Sequence, residues 1–182
     1  MKQLLKKIYE KFPFKKQFFQ VLRILPVPHR IYQHLHFKGL IKVQVNKSST
    51  FKIRHYGYEI ENEIFWKGLH GAWEKVSMGL WIALAKRSEV ILDIGANKGV
   101  YALAAQSLRL QAKVYAFEPV KRVYQKLQHN IQINNFPIKA YELAVSNQDG
   151  EAYIYDTDSE HILSVTVNKN LSASHIHTQH TK

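Results

Sequence analysis

The stretch Val90-Ile91-Leu92-Asp93-Ile94-Gly95-Ala96-Asn97-Lys98-Gly99 decides how the chain is read. Five residues, apolar apart from Asp93, run into a turn bounded by Gly95 and Gly99, and a helical pattern over about Lys98–Leu108 follows. A short apolar run closed by glycine predicts a buried strand. Glycines at such a turn let a ligand approach the backbone, and the start of the helix offers unpaired amides to an anionic group. The alternation then repeats. Lys113–Phe117 is a second apolar run, about Val120–Asn134 a helix with Val123, Tyr124, Leu127 and Ile131 inward, and Ile138–Val145 a third strand. Strand, helix, strand, helix, strand predicts a parallel sheet in an α/β domain. Glu151–Tyr155 and Ile162–Val167 read as further β runs, joined through the turn signal Asn147-Gln148-Asp149-Gly150. After Asn168 the chain is polar and without pattern.

The second chemical signal is Glu118, directly after the Val114–Phe117 run, where an acid can take both hydroxyls of a ribose. The glycine spacing separates two cofactor classes. A dinucleotide turn asks for G-x-G-x-x-G, which Gly95 and Gly99 do not supply. The D-x-G-x-[GN]-x-G arrangement of Asp93, Gly95, Asn97 and Gly99 is instead that of S-adenosylmethionine sites, whose ligand has no pyrophosphate and has an amino-acid end to hold near the turn. The plain alternative is an ordinary strand-to-helix turn with an acidic surface residue nearby.

Three blocks, VILDIGANKGVYALAA (Val90–Ala105), VYAFEPVKRVYQKLQHNIQINN (Val114–Asn135) and LAVSNQDGEAYIY (Leu143–Tyr155), resemble the FkbM family of methyltransferases in order and spacing. The resemblance covers about Val90–Val167. It implies a Rossmann-like class I methyltransferase sheet, S-adenosylmethionine as methyl donor, and methylation of a hydroxyl on a sugar, glycan or natural product. Carried over by position, it sets Asp93, Gly95, Asn97 and Gly99 around the methionine half of the cofactor, Glu118 on the ribose, and Ala144 with Val145 near the adenine. Lys98 departs from the apolar residue expected at its position and reads as a solvated side chain on the first helical turn. The family continues into a fourth strand with a K-I-D-V-E-G-like segment that has no match here. The expectation is therefore an incomplete, N-terminal half of the sheet, with apolar surface exposed on its first strand. The competing expectations are a truncated and inactive remnant of such an enzyme, and a non-enzymatic module that binds anionic membrane through a basic N-terminal arm.

Upstream, Leu40–Val45 and Phe51–His55 flank a polar Asn-Lys-Ser-Ser turn and predict a β-hairpin. Glu59–Leu69 and Trp73–Lys86 read as helices, the second with Trp73, Val76, Leu80, Trp81 and Leu84 on one face. The chain thus divides into a basic arm and hairpin (1–56), a helical cap (57–89), the partial cofactor-binding domain (90–168) and a polar tail (169–182).

Charge is unevenly spread. Of 26 Lys and Arg and 14 acids, residues 1–56 hold 13 cations and only Glu10, so the net +12 of the whole chain belongs to this segment. Within residues 1–25, Leu4, Leu5, Ile8 and Phe12, then Phe18, Phe19, Leu22 and Leu25, recur at helical spacing among lysines, with Pro13 dividing two short helices. Such an arm suits peripheral contact with an anionic membrane. The plain reading is an arm packed on its own domain with a solvated lysine face. Nucleic acid is not expected, since a basic helix has no sequence code and no zinc, ribonucleoprotein or helix-turn-helix pattern accompanies it.

No apolar stretch approaches the ~20 residues of a membrane span. Lysines interrupt any signal-peptide core, so a cytoplasmic protein is expected. The absence of cysteine removes disulfides, thiolate metal sites and a cysteine nucleophile. His34 with His36, and His175 with His177, are candidate metal ligands by spacing, but without acidic partners they read as surface histidines, and no metal is expected. No catalytic base stands out. His161, beside Asp156, Asp158 and Glu160, is the best remaining candidate, but its first reading is an exposed strand-edge histidine, and the acids beside it read as alternating charges on the outer face of a strand.

Overall fold

The computed structural model describes residues 12–71, 74–147, 152–156 and 177–181. Helix α1 (Lys15–Leu22) and the short α2 (His29–Tyr32) precede a hairpin of β1 (Gly39–Gln44) and β2 (Thr50–His55). Next come α3 (Glu59–Lys67) and α4 (Lys75–Ala85), then β3 (Val90–Ile94), α5 (Val100–Leu108), β4 (Lys113–Phe117), α6 (Lys121–Gln132) and β5 (Lys139–Tyr141). Strands β6 (Ala152–Asp156) and β7 (His177–Thr181) form an antiparallel ribbon of their own.

The central sheet is parallel in the order β3-β4-β5, as strand-helix-strand alternation demands. Ile91 and Asp93, with Val114 and Ala116 beside them, face the helix layer and are buried. The small side chains Ala102, Ala104 and Ala105 bring α5 close, and α5 packs against β3, β4, α4 and β2. The hairpin covers the outer side of this layer, with β2 touching both α5 and α6. Two asparagines, Asn130 in α6 and Asn134 just after it, close the hairpin edge. Asn134 Oδ1 accepts from the Lys52 amide at 2.6 Å while its Nδ2 donates to the Lys52 carbonyl, and Asn130 Oδ1 accepts from the Arg54 amide at 3.0 Å. Backbone groups that an edge strand would leave unpaired are thus satisfied by side chains.

Several expectations are corrected. The third strand is Lys139–Tyr141 rather than Ile138–Val145, so Ala144 and Val145 lie in irregular chain after it. In α4 the buried residues are Met78, Ile82 and Ala85, whereas Val76, Leu80 and Leu84 are exposed. The helix is apolar nearly all round, so its periodicity could not say which face the core would take. Helix α1 packs inward through Phe19, whose ring lies 5.7 Å from Trp66 and 6.2 Å from Phe37. Its outer face is not lysine but Phe14, Phe18 and Val21. A strand at His177–Thr181 occupies a stretch whose polar sequence shows no β pattern. The expected β run Ile162–Val167 and residues 1–11 of the arm lie outside the described residues. Among the described residues, β3 is an edge strand, and Val90, Leu92 and Ile94 on its uncovered face are all more than half exposed. The sheet is incomplete on that side, as the resemblance implied.

Candidate functional site

The turn between β3 and α5 takes a backbone path that few residues allow. Gly95, Asn97 and Gly99 all have positive φ, at 74°, 50° and 89°. Asparagine is among the residues that tolerate this region, and its Oδ1 accepts from the next amide, that of Lys98, at 2.8 Å. The two glycines serve different ends. A Cβ on Gly99 would fall 2.6 Å from Leu127 Cδ1, so this glycine lets α5 and α6 come together. A Cβ on Gly95 would meet nothing within 4 Å, so its missing side chain leaves open space above the turn.

The turn is anchored to the next strand. The amides of Gly95 and Ala96 both donate to the Phe117 carbonyl at 2.9 Å. Glu118 follows Phe117 and is buried, with Oε2 accepting from the Asn97 amide and Oε1 from the Val120 amide, each at 2.9 Å. Asp93 is also buried, and its carboxylate accepts from the Ala102 amide at 2.9 Å, inside the first turn of α5. Burial pushes its pKa up to about 6, with the Ala102 hydrogen bond opposing and the Glu118 charge adding to the rise. The geometry thus brings Asp93, Gly95, Asn97, Gly99 and Glu118 together. Ala144 stands apart in the sequence, partly buried, in the segment after β5. At the ends of the three strands Ile94, Phe117 and Tyr141 lie in register, with the Phe117 and Tyr141 rings stacked at 5.3 Å.

Lys98 is the largest correction. Instead of being solvated it is 2% exposed, and its ammonium lies 2.7 Å from Glu61 Oε1 on α3, a carboxylate with no exposure at all. The ammonium also sits 4.5 Å from the centroid of the Tyr58 ring. Desolvation lowers the Lys98 pKa, against the upward pull of Glu61. The Lys98 carbonyl accepts from Asn130 Nδ2 at 2.8 Å, so one asparagine joins the turn to β2. His55, at the end of β2, is buried without charge, its pKa pushed down to about 4 chiefly by desolvation, while a hydrogen bond with Asn62 opposes the shift. Lys98, Glu61, Asn130 and Tyr58 are the residues that sequence reasoning missed. Lys98 alone carried a signal, as a cation where an apolar residue is expected.

Among the described residues no group of three or more His, Asp and Glu could hold a metal ion. His161, Asp158 and Glu160 lie outside the described residues. Among the described residues no helix is long and apolar enough to cross a membrane.

Two solved structures are similar to the chain. One is the SAM dependent methyltransferase from Agrobacterium tumefaciens, with a TM-score of 0.40 and 15% identity over 65% of this chain and 42% of that one. The other is P. horikoshii TYW2 in complex with MeSAdo, with a TM-score of 0.35 and 20% identity over 58% of this chain and 40% of that one. The chain therefore spans about two fifths of the length of either structure. No curated protein matches it. A family model described as Methyltransferase FkbM domain matches residues 93–181, from the aspartate that opens the glycine turn to the end of β7, so this part of the chain is similar to FkbM methyltransferases.

Proposed function

We propose that the chain carries the cofactor half of an S-adenosylmethionine-dependent methyltransferase acting on a hydroxyl oxygen of a sugar, glycan or natural product. The observation that carries the reading is the pairing of an open turn at Gly95 with the Glu118 carboxylate, held beside it through the Asn97 amide at 2.9 Å. The residues present fit the group. Space over Gly95 admits a ligand to the backbone, and a buried carboxylate fixed by two amides is preorganised to accept from a ribose diol without losing further side-chain entropy. S-adenosylmethionine supplies a methyl on a positively charged sulfonium. The chain's own part is to hold the nucleoside through Glu118 and to shape the turn through Gly95, Asn97 and Gly99. Methyl transfer to a hydroxyl also needs proton removal, and the two carboxylates next to the turn, Asp93 and Glu118, already accept from the backbone amides of Ala102, Asn97 and Val120.

The second reading, a part that is inactive by itself, is favoured by the uncovered apolar face of β3. Calorimetric titration of the protein with S-adenosylmethionine and S-adenosylhomocysteine, with NAD as control, tests the first reading. Saturable binding of the first two and none of NAD is expected. A folded protein that binds neither would overturn the cofactor assignment and leave the second reading.

A further inference from the structure

Helix α1 carries two apolar stripes where a helix resting on a domain needs one. Phe19 is 2% exposed and fixes the helix to the core beside Trp66 and Phe37. The other row, Phe14 at the N-cap, Phe18 and Val21 within the helix and Leu25 in the turn after it, looks outward, each side chain more than half exposed. Phe12 meets both Phe14 and Phe18 edge to face at 6.3 Å, so the rings form one continuous patch. Ile24, in the turn after the helix, is 82% exposed. A contiguous exposed patch of this kind marks an interaction surface, since scattered single apolar residues would not line up on one face.

Its surroundings are cationic. A cavity of about 310 Å³ opens beside Ile24 and Leu25, and Arg23 and Lys67 line it with Tyr32 and Trp66. The Arg23 guanidinium lies 4.7 Å from the Phe65 ring centroid, and the Lys67 ammonium 5.5 Å from that of Tyr32. Cations held on aromatic rings next to protruding aliphatic side chains match the layering of a bilayer surface, with phosphates at one level and acyl chains just below. Residues 1–56 carry a net +12. In sequence the same mixture continues through Lys2, Leu4, Leu5, Lys6, Lys7 and Ile8. Phe12, Phe14 and Phe18 are rings on which bases stack, but Val21, Ile24 and Leu25 interrupt the patch with side chains that offer a nucleotide neither stacking nor hydrogen bonds, which favours acyl chains as the occupant.

From this juxtaposition we infer that the outer stripe of α1, with the cationic cavity at its end, is a docking surface for an anionic lipid bilayer. The inference is independent of the methyltransferase reading.

Co-sedimentation of the protein with phosphatidylcholine vesicles, with and without phosphatidylserine, tests it. Binding to the anionic vesicles at low salt, weaker by about tenfold or more on phosphatidylcholine alone and released by added salt, is expected. Phe14→Ser with Phe18→Ser, both at exposed positions, should weaken binding by about tenfold or more with circular dichroism and melting temperature unchanged. Ile24→Ser with Leu25→Ser should act in the same direction. No sedimentation with anionic vesicles, or wild-type binding by both pairs of variants, would overturn the inference. So would a dimer in light scattering that the phenylalanine variants split while vesicles stay unbound, because a second copy would then be the occupant. Vesicle binding abolished by an oligonucleotide but unaffected by either pair of variants would point to a charge-only surface and equally overturn it.

Discussion

The ammonium of Lys98 and the carboxylate of Glu61 meet at 2.7 Å with neither side chain reaching solvent. They join the cofactor turn to the helical cap. Removing one member leaves the other charge buried and unpaired, which costs about 3–5 kcal/mol, whereas replacing both with apolar residues of similar volume is often close to neutral. Lys98→Met and Glu61→Leu should therefore each destabilise strongly, and the two together should recover most of the loss. Denaturant unfolding of the single and double variants reads the coupling, and additive effects would show that the pair is not a unit.

The two glycines of the turn should fail in different assays. Gly99→Ala places a methyl 2.6 Å from Leu127 and demands a φ of 89° from an L side chain, so it should lower stability by about 1–3 kcal/mol. Gly95→Ala, with φ 74° but no neighbour within 4 Å, should cost about 1 kcal/mol in stability while filling the space a ligand would use. Melting curves and S-adenosylhomocysteine titrations of the two variants should therefore rank them in opposite orders. A Gly95→Ala protein that binds like wild type would remove this glycine from the site.

Glu118→Ala deletes the acceptor of the Asn97 and Val120 amides and the group assigned to the ribose. Losing these two hydrogen bonds should cost about 1–3 kcal/mol in stability, which leaves a folded domain. Nucleoside affinity should fall by about tenfold or more, because a charge-assisted pair of hydrogen bonds is lost. Isothermal titration of wild type and variant decides it, and equal affinity would end the ribose assignment.

Much of this was legible in the sequence. Val90–Ile94 and Lys113–Phe117 are strands with the bounds their apolar runs predict, and the glycine turn between β3 and α5 lies where its composition placed it. Local signals sufficed there because strand, turn and helix each have a short-range chemical cause. Lys98 was misread because its environment is built by α3, more than thirty residues earlier, and no local pattern announces a buried partner such as Glu61. Asn130 was missed for a related reason. It lies within the apolar stripe Val123, Leu127 and Ile131, and only the approach of β2 and the turn gives its amide partners on both sides. The outward stripe of α1 was visible as an amphipathic pattern. Which face the domain would cover depended on where Phe19 found Trp66 and Phe37.

Two buried groups should give the stability profile opposing slopes in mildly acidic solution. Asp93 has its pKa raised from 3.8 to about 6, so between these values the folded state holds more protons than the unfolded one, and stability falls as pH rises through the window. His55 has its pKa lowered from 6.5 to about 4, so the unfolded state holds more protons there and stability rises with pH over nearly the same range. At about 1.4 kcal/mol per pKa unit, each effect is on the order of 3 kcal/mol and the two largely cancel. Asp93→Asn, which keeps an acceptor for the Ala102 amide, should unmask the rise between pH 4 and 6.5, and His55→Gln should unmask the fall. Urea unfolding at half-unit steps of pH checks both. Parallel profiles for wild type and the two variants would mean that neither group is buried in the ionisation state assigned here.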